Sequence, residues 1–75
     1  MSETDLAERT KRLLKAELKR ADITYGELAN RLNKMGLEES EASVANKLSR
    51  GTFPATFFVA TLKAVGVDAL RLNDI

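Results

Sequence analysis

Apolar residues recur three and four positions apart along almost the whole chain, and that spacing leaves little room for anything but helices. Leu6, Thr10, Leu13, Leu14, Leu18 and Ala21 form the first stripe and predict a helix from about Asp5 to Arg20, with Ser2, Thr4 and Asp5 on offer as N-caps. Thr24 and Glu27 are spaced as a capping box for the second helix. Its buried stripe is Tyr25, Leu28, Ala29, Leu32 and Met35, and Gly36 stops it. Ser40 caps a third helix that ends at Gly51. Ala42, Ala45 and Leu48 share its inward face, with Val44 at the edge. Pro54 suits the first turn of a fourth helix, with Phe53 stapling its start. Phe57, Phe58, Thr61, Leu62 and Val65 are its apolar face, and Gly66 ends it. The tail alternates weakly, with Leu70 and Leu72 on one side, as a short strand or an extended segment closing the core. The expected architecture is all-α: four helices in one domain over 1–75, with an ordered core of about 5–72 and a short C-terminal extended segment.

What the chain lacks narrows its chemistry. It has 75 residues, no cysteine and no histidine. Disulfides, thiol catalysis, ordinary zinc sites and imidazole acid–base chemistry are therefore excluded. Ser43 and Lys47 stand four apart, as a Ser–Lys pair would, but nothing cleft-forming or oxyanion-like accompanies them. Glu38, Glu39 and Glu41 do not follow a calcium-loop pattern. No catalytic residue, metal site or cofactor is expected. The apolar runs are too short to span a membrane, and the N-terminus has no apolar signal core, so a cytoplasmic location is expected.

Two helices joined by a loop, the second short and alanine-rich, predict a helix-turn-helix. The stretch Ile23-Thr24-Tyr25-Gly26-Glu27-Leu28-Ala29, then Asn46-Lys47-Leu48-Ser49-Arg50-Gly51, then Lys63-Ala64-Val65-Gly66-Val67, resembles the repressor-type (Cro/C1-type) helix-turn-helix of phage and bacterial regulators. The resemblance implies that Leu28 and Ala29 are buried on helix two and that Leu48 anchors the recognition helix. Two departures stand out. Ala29 to Gly51 spans 22 positions, against about 16 in that pattern. Glu38, Glu39 and Glu41 also precede helix three, where carboxylates would repel phosphates. A longer resemblance runs from Leu13 to Leu72. It is carried by residues 13–18, Thr24-Tyr25, Leu28-Ala29, Ala45 to Phe53, and Leu70-Arg71-Leu72. Those residues are similar to a family of small bacterial proteins known only as a domain of unknown function, which implies no activity.

Charge supplies the functional expectation. Twelve basic and eleven acidic residues leave only +1 overall, so a nucleic-acid site must come from local segregation. Residues 9–20 carry six basic side chains against Glu17 alone. The expected function is duplex DNA binding by a small transcriptional regulator. Ser43, Asn46 and Arg50 would reach base edges, and Thr24, Tyr25, Lys47, Arg12, Lys15 and Lys19 would hold phosphates. High specificity would call for a homodimer. Two blander readings run alongside. The same side chains also describe a solvated helix face. The scaffold also suits a protein-interaction module that does not read DNA, with its partner at the Glu38–Glu41 loop.

Overall fold

A computed structural model describes residues 1–75. The chain forms four α-helices and no strand: α1, Glu3–Arg20; α2, Tyr25–Lys34; α3, Glu41–Arg50; and α4, Ala55–Val65. Residues 67–71 have no regular structure, and one 3-10 turn, Leu72–Asp74, follows.

Local chemistry sets these boundaries. Ser2 caps α1 with a full capping box, its hydroxyl accepting from the Asp5 N–H while the Asp5 carboxylate accepts from the Ser2 N–H. At α2 only half of the expected box forms. The Thr24 hydroxyl accepts from the Glu27 N–H at 3.1 Å, but the Glu27 carboxylate turns along the helix to Arg31. Arg31 also donates to the Ala64 carbonyl at 2.9 Å, fastening α2 to the last turn of α4. Ser40 and Ser43 form the reciprocal box at α3. Pro54 is the N-cap of α4 rather than a residue inside its first turn. Phe53 then stacks on Phe58 at 6.4 Å, which is the expected staple.

One core joins all four helices. Leu14 and Leu18 of α1, Leu28, Ala29 and Leu32 of α2, Val44 and Leu48 of α3, and Phe57 and Ala60 of α4 are buried, together with Ile23 from the first turn. α2 packs against α3 and α4, and α1 closes across the same two helices. At Gly51 α3 touches α1 through backbone alone. The residue is left-handed (φ 73°), and a Cβ there would stand 2.5 Å from the Ala7 carbonyl oxygen. Only glycine meets both demands.

Four expectations change. Leu6 and Met35 are exposed, Leu6 in the first turns of α1 and Met35 at the C-cap of α2. The inward face of α3 is Val44 and Leu48, while Ala42 is exposed and Ala45 half-buried. The helix is thus turned toward its larger apolar residues, which remove more surface from water than alanine does. The tail forms no strand, since no neighbouring strand exists to pair with it, and it does not seat Leu72, which is 82% exposed.

Candidate functional site

The rotation of α3 decides which side chains it offers to a ligand. Ala42, Asn46, Ser49 and Arg50 form its outward face, at the i, i+4, i+7 and i+8 positions of one helical stripe. Asn46 and Arg50 have no hydrogen-bond or salt-bridge partner in the protein. Ser43 and Lys47 lie on the flank instead, half-buried and facing α4 and the loop before α3.

Both flank residues are engaged by Glu39. The Glu39 carboxylate accepts from the Ser43 hydroxyl at 2.6 Å and from the Lys47 ammonium. Its side chain is only 5% exposed, and that of Lys47 is 24% exposed. The Lys47 ammonium also stands 4.9 Å from the centre of the Phe57 ring, within cation–π range. Asn33, near the end of α2, clamps the same residue by its backbone. Its side-chain N–H donates to the Glu39 carbonyl at 3.0 Å, and its side-chain oxygen accepts from the Glu39 N–H at 2.9 Å. Burial alone pushes the Glu39 carboxyl up. The hydrogen bonds from Lys47 and Ser43, with the Lys47 charge, outweigh that and hold it below the usual glutamate value.

The three glutamates before α3 therefore part company. Glu39 is turned into the protein. Glu41 reaches back to the first turn of α2, where its Oε1 stands 2.9 Å from the place a Cβ on Gly26 would take. A carboxylate is favoured at that helix end, and it occupies the approach to Thr24 and Tyr25. Glu38 and Glu41 are both exposed and neither makes an ion pair.

The basic face of α1 also divides. Lys11 bonds to Glu8 and donates to the Ser49 carbonyl at 3.4 Å, which sets this side of α1 against the C-terminal end of α3. Arg9 donates to the Ile75 carbonyl, and Arg20 pairs with Glu17. Arg12, Lys15 and Lys19 are exposed and have no partner. Lys15 and Lys19 follow Lys11 at i+4 steps along α1.

Elsewhere, Phe57 is in the core as expected for the aromatic cluster, while Phe53 and Phe58 are half-buried. With Leu6, Ala7 and Ala55 these two line an open groove of about 490 Å³. No group of three or more acidic side chains is placed to hold a metal ion. No helix is long and apolar enough to cross a membrane.

These features define a small four-helix domain whose third helix carries unpaired polar side chains outward and whose first helix carries unpaired cations. The family described as a domain of unknown function (DUF6471) matches residues 6–70, and the chain belongs to that family. No curated protein and no solved structure matches it.

Of the residues singled out in the sequence, the structure brings Asn46 and Arg50 together on one face and leaves Arg12, Lys15 and Lys19 exposed and unpaired on α1. It commits Ser43 and Lys47 to Glu39 and sets Glu41 beside Thr24. The sequence reading missed Ala42 and Ser49 as outward residues. The signal for them was the Val44–Leu48 pair at i, i+4, the larger apolar pair on α3.

Proposed function

We propose that this chain binds duplex DNA, with α2 and α3 acting as a repressor-like helix-turn-helix and α3 entering the major groove. One observation carries the reading. Asn46 and Arg50 stand one turn apart on the outward face of α3, both unpaired, and α1, which packs against α3, carries the free cations Arg12, Lys15 and Lys19. Asparagine pairs in bidentate fashion with adenine and arginine with guanine, while lysines hold phosphates. Ala42 lets the helix approach closely and suits a thymine methyl. The repulsion expected from the acidic run is reduced, because Glu39 is turned into the protein and paired with Lys47.

The proposed contact set is therefore Asn46 and Arg50 for bases and Arg12, Lys15 and Lys19 for phosphates. Ser43 and Lys47 are left out because Glu39 holds them. Thr24 and Tyr25 are left out because Glu41 stands before them. The inward turn of Glu39 leaves Glu38 and Glu41, rather than three carboxylates, to recruit a protein partner there. A single module reads few bases, so a pair of copies on half-sites about one helical turn apart would supply specificity.

The test is binding to a random pool of duplexes at two salt concentrations. A salt-sensitive interaction that enriches a motif supports the reading, and Asn46→Ala should then cost about 1–3 kcal/mol of discrimination at one base pair. Lys15→Ala should weaken binding to every sequence and lower the salt slope by about one. Absence of binding at low salt removes the reading.

A further inference from the structure

The junction between α2 and α3 contains an anion-holding arrangement that is filled from within. A serine hydroxyl at the start of α3 and a lysine one turn further on are groups that hold phosphate in many proteins. Here the Glu39 carboxylate takes both, and with its side chain only 5% exposed it is shielded from salt and from competing anions. Asn33 holds the backbone of the same residue through two hydrogen bonds, which fixes the point from which the carboxylate reaches Ser43 and Lys47. The Phe57 ring stands beside the Lys47 ammonium and holds the lysine stem along the flank.

We propose that Glu39 is the positioning residue of the α3 surface: it withholds Lys47 and Ser43 from phosphate and fixes where α3 begins, so that Asn46 and Arg50 lead the helix into the groove. This rests on the DNA reading above. It adds that the lysine nearest the proposed base contacts is no part of the phosphate grip. A helix that spent Lys47 on phosphate would roll toward its Ser43–Lys47 flank and carry Asn46 away from the base edges.

The experiment compares salt slopes of duplex binding for the wild type, Glu39→Gln, Lys47→Met and the double variant. The reactivity of each lysine toward an acylating reagent is mapped by mass spectrometry without DNA. Methionine keeps the apolar stem beside Phe57, and the double variant leaves no charge unpaired if Lys47→Met alone folds poorly. Glu39→Gln should raise the salt slope by about one and weaken base preference, as Lys47 swings out to phosphate. Lys47→Met should leave the slope at its wild-type value, and the double variant should restore that value. In the wild type Lys47 should acylate several-fold more slowly than Lys15 and Lys19, and Glu39→Gln should erase the difference. A slope lowered by about one in Lys47→Met overturns the proposal, because Lys47 would already be on phosphate. An unchanged slope and unchanged Lys47 reactivity in Glu39→Gln overturn it as well. A wild type with no salt-dependent binding removes the DNA reading and with it the role of Glu39. A slow Lys47 then identifies the DNA reading, not the ion pair, as the failure.

Discussion

At its N-terminal end α3 is held by side chains: Ser40 and Ser43 cap each other, Glu39 gathers Ser43 and Lys47, and Asn33 clamps the loop. At its C-terminal end it is held by the lack of one, since Gly51 rests its bare Cα on the Ala7 carbonyl of α1. The two ends fail differently. A polar network can lose a member and refill the space with water, so its cost is graded. A steric contact against backbone cannot relax without moving a helix, so its cost is abrupt.

The largest expected effect therefore falls on Gly51. Gly51→Ala combines left-handed strain with a clash against backbone and should lower stability by about 2–4 kcal/mol, read from denaturant unfolding. Gly66 provides the control. It is also left-handed (φ 87°), but a Cβ there meets nothing within 4 Å. Gly66→Ala should cost about 1 kcal/mol, the strain alone. Equal losses at the two glycines would mean that α1 yields to the new methyl and that the steric account is wrong.

Next comes the polar end. Glu39→Ala strips Lys47 of its acceptor, but Lys47 can reach water and the Ser43 hydroxyl still has the Ser40 carbonyl at 3.0 Å. A loss of about 1–2 kcal/mol is expected, below that of Gly51→Ala. A loss beyond the Gly51 value would reverse the ranking of the two ends.

Acid sharpens the same contrast. Folded Glu39 has a carboxyl pKa below its unfolded value, so the unfolded chain binds more protons in the acid range. The stability this contributes is complete above the unfolded value and is lost as the pH falls through the folded one. Glu39→Gln should flatten that part of the stability–pH profile, whereas Gly66→Ala should shift the profile down without changing its shape.

The smallest effect is expected at Thr61. Its side-chain hydroxyl is buried in the core without a partner. Thr61→Val replaces it with a methyl of the same shape and should stabilise the fold by up to about 1 kcal/mol. A clear loss in thermal unfolding would show that the hydroxyl has a partner, such as an ordered water.

Much of the fold was legible because its punctuation is chemical. Thr24, Ser40, Gly36, Gly51 and Gly66 mark helix ends through hydrogen bonds and backbone angles that involve near neighbours. Leu14, Leu18, Leu28, Leu32 and Leu48 announce burial by size and spacing. The face of α3 was less legible. Two alanines and a valine leave its apolar direction ambiguous by about one residue, or some 100°. That ambiguity misplaced Ser43 and Lys47 among the outward residues. Their partner Glu39 lies outside the helix, eight positions before Lys47, where no helical spacing rule applies. The sequence reading treated Glu38, Glu39 and Glu41 as one acidic run, because nothing local separates three glutamates whose roles are set by other helices.

The tail after Gly66 has a consequence for how the molecule meets a protease. Beyond Val67, a single hydrogen bond ties this segment to the rest of the chain, from Arg9 to the Ile75 carbonyl at 3.3 Å. Arg71 is exposed, and the bond that follows it is held only by the single 3-10 turn Leu72–Asp74, through one hydrogen bond from the Asp74 N–H to the Arg71 carbonyl. Brief trypsin treatment of the folded protein should cut there before it cuts at the many basic residues of α1, whose amides are locked in helical turns.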